Sequence, residues 1–333
     1  MDSIIAVDLG GTNVRAALFP DGGVRAQRRV ERPSHAAESV RECVEAIVGA
    51  VEEVADGADP SPKRIGMAVP GHIVGKVVHW APNFGDPVDG EWRCWRDIPL
   101  GEMLESRLGL SIVMGNDANL AALGEYWYGA GKGRAAGLAM ITLGTGIGTG
   151  IVLSPECVQG GLSRPTLLIG GNGGGAELGH LVIVRDGQTH PSATDGTVEA
   201  YCGTHGILVR ARTLFPSSGP LFDLCRGDED VLSPKVLFDA AEMGDATAQE
   251  VWRETGGYLG VLFGNIINAF APEVIAIGGQ ISKAWKYMED GAMWEVKKTA
   301  IPSLVDDTRI VIAELQEDAG LSGALVLARE SES

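Results

Sequence analysis

The chain has 333 residues, 45% of them hydrophobic and 21% charged, which is ordinary for a globular protein and long enough for two cores. Its 27 Lys and Arg face 44 Asp and Glu, and a formal charge of −17 argues against a nucleic-acid partner. No apolar run has the length of a membrane span, the opening MDSIIAVD carries no basic or cleavage-site pattern, and the five cysteines form no C-x-x-C pair, so a cytoplasmic protein with reduced thiols and no membrane partner is expected.

In chain order, Ile4–Val7, Val14–Phe19 and Val24–Val30 read as three successive strands joined by Gly-rich turns. RAQRRVER alternates like an exposed strand face. Val40, Val44, Ile47, Val48, Val51 and Val54 share one face of a helix. RIGMAVPG is a strand ending in a Pro-Gly turn, Leu100–Leu108 a short helix, and SIVMG a strand that delivers Asn116 and Asp117. ANLAALGEYWYGAG is a helix stopped by glycine. GLAMITL and IGTGIVL form a second hairpin, Val198–Thr213 reads as a helix, and residues 246–271 form a long helix closed by Pro272. EVIAIGG and TRIVIAEL are strands and GLSGALVLARE a terminal helix. A meander followed by alternating helices and strands restarts near residue 138, which predicts two related α/β domains facing each other across a cleft.

Asp8-Leu-Gly-Gly-Thr-Asn13 is a bare turn between two apolar strands. Glycines there free backbone N–H groups for a phosphate, and a carboxylate beside that cradle suits Mg²⁺ held through water, so Asp8 is the candidate metal residue. An ordinary hairpin with Asp8 at a strand end is the plainer alternative. Gly144-Thr-Gly-Ile-Gly148 is a second such turn; a strand follows it, so it is no dinucleotide fingerprint. GNGGGA (171–176) matches G-x-G-x-x-A by letters but lacks the preceding strand of a βαβ unit, and a nicotinamide site is discounted. Asp117 is either a helix cap or a general base toward a hydroxyl. Asn83, Asn116, Asp117, Glu177, His180 and Glu199 together would read the hydroxyls of a polyol; taken singly, each is as readily a surface or capping residue.

With these stretches in order, the sequence resembles the ROK family (repressors, open reading frames and sugar kinases) over nearly its whole length. The resemblance rests on DLGGTNVRAAL, APN (81–83), GNDANLAALGE (115–125), ITLGTGIGTGIV (141–152), NGGGAELGH (172–180), GTVEAY (196–201) and IAIGGQIS (275–282). It implies an α/β, two-domain actin-like ATPase (ribonuclease H-like) fold, divided as 1–117 plus 317–333 and 118–316, with an interdomain cleft. It implies Asp117 as catalytic base, sugar ligands at Asn83, Asn116, Glu177, His180 and Glu199, phosphate turns at Gly10, Gly11, Thr12 and Asn13 and at Thr145 and Gly146, and Gly278 and Gly279 near the adenosine. The expected activity is ATP-dependent phosphorylation of a hexose, glucose first, with ATP and Mg²⁺. Mannose, allose, fructose or N-acetylmannosamine kinases and a non-catalytic sugar sensor are the alternatives. A homodimer is expected, with the apolar helix at 246–271 as its face.

One departure concerns zinc. The family commonly carries C-x-C-G-x-x-G-C before the LEAY segment, with the GH histidine as fourth ligand. The aligned stretch here is HPSATDGT (190–197), without cysteine, and an alignment through CGTHG (202–206) would sacrifice Glu199. Zinc is not expected. A sugar-responsive repressor of the family would carry a helix-turn-helix domain, for which the early first strand leaves no room. The stretch SPECVQGGLSRP (154–165) carries no functional reading.

Overall fold

The computed structural model describes residues 3–88, 91–191 and 194–331. The chain opens with strands β1 (Ile4–Leu9), β2 (Asn13–Phe19) and β3 (Arg28–Pro33), then helix α1 (Val40–Ala55). The Ser39 hydroxyl caps α1 by accepting from the Glu42 amide, and Val44, Ile47, Val48, Val51 and Val54 are its buried face. Strands β4 (Arg64–Val69), β5 (His72–Val74), β6 (Val77–Val88) and β7 (Glu91–Ile98) precede α2 (Leu100–Leu108), β8 (Ser111–Asn116) and α3 (Asp117–Tyr128). The second half begins with β9 (Gly137–Leu143), β10 (Ile147–Leu153) and β11 (Thr166–Leu167). Helices α4 (Val198–Cys202), α5 (Thr204–Thr213), α6 (Pro220–Leu224), α7 (Pro234–Glu242) and α8 (Ala246–Phe270) follow. The chain ends with β12 (Val274–Gly278), α9 (Trp285–Thr299), α10 (Pro302–Val305), β13 (Arg309–Ile312) and α11 (Ala319–Glu330).

Two five-stranded sheets repeat one topology, β3-β2-β1-β4-β8 and β11-β10-β9-β12-β13. In each, three antiparallel strands are extended by two parallel ones. Both central strands are buried on both faces, and their side chains alternate between two cores. Ile5, Val7 and Leu9 of β1 face α1, whereas Ile4 and Ala6 face a layer shared by the two sheets. In β9, Ile141 and Leu143 face the helices α4–α9, whereas Leu138 and Met140 face the shared layer. This period of two is why the strands read as continuous apolar runs.

Helices α3 and α11 fill the shared layer, α3 against β9 and β10 and α11 against β1 and β4. They touch at glycines: a Cβ at Gly323 would overlap the Leu120 carbonyl, and one at Gly124 the Ala319 carbonyl. Glu125, with no exposed surface, ties this junction to the chain crossing between the halves. Its carboxylate accepts from the amides of Ala130 at 3.0 Å, Glu314 at 3.1 Å and Leu315 at 2.6 Å.

Two sequence expectations are corrected. The third strand starts at Arg28, not Val24, because the ladder with β2 begins at Arg28 opposite Leu18; Val24 is 56% exposed. The helix expected over Val198–Thr213 is two, broken at Gly203, where a Cβ would stand 2.9 Å from the carbonyl oxygens of both Thr145 and Glu199. The side of α8 that carries Trp252, Leu259, Phe263 and Ile267 packs into its own half. A three-stranded sheet, β5-β6-β7, and helix α9 were absent from the sequence reading. The 154–165 stretch is the broad connection between β10 and β11, and Arg164 donates from it to the Glu330 carbonyl.

Candidate active site

A cavity of about 1040 Å³ opens at the carboxyl ends of the parallel strands of both sheets. The turns that follow β4, β8, β9 and β12 all contribute to its wall, the usual place for a ligand in a sheet of this kind. Of the residues singled out from the sequence, Asn83, Asn116, Asp117, Thr145, Gly146, Glu177, His180, Glu199 and Gly279 line it.

Asn116 ends β8 and Asp117 begins α3. The cap of α3 is Asn116: its Oδ1 accepts from the Asn119 amide at 3.0 Å, while its Nδ2 donates to the Gly71 carbonyl at 3.0 Å. Asn116 therefore holds the Pro70–Gly71 turn to the head of the helix, and Asp117 is released from capping. The Asp117 carboxylate accepts from the Ala118 amide at 2.9 Å. Burial, then the neighbouring Asp8 carboxylate and, more weakly, Glu177 push its carboxyl up to about 6. A carboxylate so poised, in a cavity, has the properties of a general base near neutral pH.

Glu177 and His180 flank a single 3₁₀ turn, and Glu199 lies in the first turn of α4. Burial pushes the Glu177 carboxyl up; His180 pulls it back and Glu199 pushes it further. Glu199 Oε2 accepts from the Ile147 amide at 2.8 Å, directly after the Gly144–Gly146 turn. A Cβ at Gly146 would overlap that carboxylate, so the glycine permits the contact. The opening of α5 closes the other side: the Thr204 hydroxyl and amide both donate to the Gly144 carbonyl, at 3.0 and 3.1 Å.

The first turn is placed differently. Gly10 donates to the Asn13 carbonyl at 2.8 Å, and a Cβ on Gly11 would lie 3.9 Å from the ring of Phe84, itself a cavity wall. Asp8, Gly10, Gly11, Thr12 and Asn13 do not line the cavity itself. The Asn13 side chain donates to Glu31 at 2.5 Å and is turned away from the cleft. Asp8 is ion-paired with Arg15, and burial pushes its carboxyl up against the pull of that guanidinium. Gly278 is buried between Met140 and Ala313, so of the two glycines expected near the nucleotide only Gly279 reaches the cavity.

The donors present do not fit zinc. The 190–197 stretch has no thiolate, and Ser192 and Ala193 lie outside the described residues. Hydrogen bonds hold its neighbourhood: Gly196 donates to the Gln188 carbonyl at 2.9 Å, the Gln188 amide to the Tyr201 hydroxyl at 2.8 Å, and Gln188 Nε2 to the Ala200 carbonyl at 2.6 Å. The His190 ring packs edge-on against His205, 5.1 Å between centroids. Cys202 is fully buried, and burial pushes its thiol up, away from the thiolate a metal needs. Among the described residues, the three side chains whose ligand atoms converge are His35, Glu38 and Glu42, which stand on the β3–α1 connection and the first turn of α1 and not in the cleft.

Several cavity walls escaped the sequence reading. His72 and Trp80 enter from β5 and β6, directly opposite each other in register. Lys235 and Phe238 enter from α7, and Gln280 and Lys283 from the turn after β12. Strand alternation around HWAPN could have signalled the first pair; nothing local signals the second.

Duplicated sheets with a Gly/Thr hairpin turn in each, and a raised carboxyl at the cleft between them, define a two-lobed phosphotransferase of the actin-like ATPase fold. The ROK family model matches residues 4–331, and the chain belongs to the ROK family. It is 32% identical over 331 residues to a glucokinase from Thermotoga maritima, covering 98% of this chain and 97% of that protein. It is 31% identical to a glucokinase from Streptomyces coelicolor, covering 99% and 98%. Among solved structures, a ROK family glucokinase from Streptomyces griseus in complex with glucose and AMPPNP superposes with a TM-score of 0.78 at 29% identity, covering 98% of this chain and 99% of that one.

Proposed function

We propose that the protein is an ATP-dependent hexose kinase whose substrate is glucose, phosphorylated at its 6-hydroxyl. The observation that carries this reading is the Asp117 carboxyl, raised to about 6, in one cavity with Glu177, Glu199 and the Gly144–Gly146 turn. Near-full-length likeness to glucokinases and to a structure holding glucose and AMPPNP supports it.

Asp117 accepts the hydroxyl proton as the sugar oxygen bonds to the γ-phosphorus and the bond to the β-phosphate bridging oxygen breaks, releasing ADP. Glu177, Glu199, His180 and Asn83 hold the remaining hydroxyls. Asn116 acts through position, fixing the Pro70–Gly71 turn and the start of α3. Backbone amides of Thr145 and Gly146, and of Gly11 and Thr12 opposite, cradle the phosphates once the lobes approach. Closure excludes water and limits wasteful hydrolysis of ATP.

Asp8, ion-paired with Arg15, would hold Mg²⁺ through water: its charge pushes the buried Asp117 carboxyl up, and a cation there would relieve that. Bound Mg²⁺ would supply charge neutralisation on the transferring phosphates. The lobes are residues 1–117 with 317–333 and residues 118–316, with α3 and α11 as their contact. A second copy of the chain is the macromolecular partner we infer. The half-exposed Tyr258 and Val261 and the 64% exposed Trp294, which share one groove, support that. Among the described residues no helix is long and apolar enough to cross a membrane.

An ATP-coupled assay across glucose, mannose, allose, fructose and N-acetylmannosamine tests the reading, with the position of the phosphate read by NMR. Turnover of glucose to the 6-phosphate supports it; ATP-dependent turnover of none of these sugars overturns it.

A further inference from the structure

His72 stands where the two halves meet over the cavity. It begins β5, one residue after the turn that Asn116 fixes. Its Nε2 lies 2.9 Å from the carbonyl oxygen of Asn172, a hundred residues away in the second half. A carbonyl can only accept, so Nε2 carries the proton and donates. The loop approaches β5 through glycines. A Cβ at Gly173 would lie 3.0 Å from Val74 Cγ2 and 3.2 Å from the Ile73 carbonyl oxygen, and one at Gly174 would lie 3.4 Å from the His72 ring. Asn172 Oδ1 in turn accepts from the Gly174 amide at 3.1 Å, which gives the loop its shape.

Glu177 follows three residues after Gly174, and the His72 ring is close enough to exert a downward pull on its carboxyl. On the other side, β5 pairs with β6, the strand that carries Asn83. The ring is steadied from behind by His79, 5.5 Å between centroids, whose Nδ1 pairs with Asp97 at 2.7 Å. One hydrogen bond thus ties the strand pair bearing one hydroxyl reader to the loop bearing another.

We propose that His72 is a positioning residue for the sugar: by donating from Nε2 to the Asn172 carbonyl it sets the separation of Asn83 and Glu177 across the cleft, and with it the affinity for the hexose. This rests on the kinase reading above. A ring without the donor and a donor without the ring separate the hydrogen bond from simple packing. His72→Phe should raise the hexose KM, and the hexose Kd by calorimetry, by up to about tenfold, the loss expected when one hydrogen bond worth at most about 1.4 kcal/mol is removed. Its ATP KM and melting temperature should stay near wild type. His72→Gln, whose side-chain amide can still donate, should restore most of the sugar affinity. His72→Phe with unchanged hexose Kd and KM overturns the inference and leaves the kinase reading standing. So does equal damage to sugar and ATP binding in both variants, which would mark His72 as a fold residue only. A wild-type enzyme that turns over no hexose sinks both readings together.

Discussion

Glu199 Oε2 receives a hydrogen bond from the amide of Ile147 at 2.8 Å, so a carboxylate in the cleft wall is bonded directly to the end of the Gly144–Gly146 turn. The contact is possible because residue 146 has no side chain in its path. On the proposed reading Glu199 serves both the sugar and the phosphate turn, and two substitutions at Glu199 separate those duties.

Glu199→Gln keeps an oxygen that can accept from Ile147 but loses the charge that strengthens hydrogen bonds from sugar hydroxyls, by roughly 1.5–3 kcal/mol. The hexose KM should rise about tenfold or more while the ATP KM barely moves. Glu199→Ala removes both, and the ATP KM should rise as well. Steady-state kinetics against each substrate decides it. Equal ATP KM values for the two variants would show that the Ile147 contact does nothing for the phosphate turn.

Glu125 gives a prediction about stability. Its carboxylate is fully buried and accepts from three backbone amides, two of them on the crossing that leads into α11. Glu125→Ala leaves one buried and two partly buried donors without that partner and should cost about 2–3 kcal/mol, read as a lowered thermal midpoint. Glu125→Gln retains an acceptor but turns an NH₂ toward N–H donors, and should fall between. An alanine variant as stable as wild type would show that water or local rearrangement satisfies those amides.

The loop near residue 190 gives a prediction about metal. Its hydrogen bonds run through Gln188, Tyr201 and Gly196 and require no ion. Protein treated with a chelator and then returned to Mg²⁺ should contain well under one zinc per chain by elemental analysis, melt at the same temperature and retain activity. A firmly held equivalent of zinc whose removal unfolds the protein would refute this.

The duplicated hairpins could be read from the sequence because β1, β2, β9 and β10 are largely apolar and the turns that join β1 to β2 and β9 to β10 are Gly-rich. Helix α9 could not. It packs on α8 through backbone contacts at Gly256, Gly260 and Gly291, so the middle of its buried stripe, Gly291 and Ala292, has little apolar bulk to join Trp285 and Met288 to Val296. Strand β6 was hidden by Pro82 and Pro87; a shift of register between Ala81 and Gly85 accommodates the first. At the site, the carboxylates were legible because their order along the chain is that of a family. The division of labour between Asn116 and Asp117 was not, since both residue types cap helices and only coordinates show which one does. The His72–Asn172 bond spans the halves and leaves no local trace.

Asp117 joins these strands of evidence. Its carboxyl is raised to about 6 by burial and by Asp8, so the ionised form needed for catalysis is the form the fold disfavours. Between the unfolded value near 4 and the folded value near 6, the native state binds the extra proton, and this site's effect is a loss of stability as pH rises through that window, complete above it. Asparagine cannot ionise and escapes the penalty, and the cap of α3 is untouched because Asn116 supplies it. Asp117→Asn should therefore melt at or above the wild-type temperature at pH 7 and keep hexose binding by calorimetry. It should lose at least about a hundredfold in kcat, the usual cost of removing a general base. In the wild type, kcat/KM should fall below about pH 6 as the free carboxylate is protonated. A folded Asp117→Asn protein with near-normal kcat, or a wild-type profile flat down to pH 5, would remove Asp117 from the chemistry.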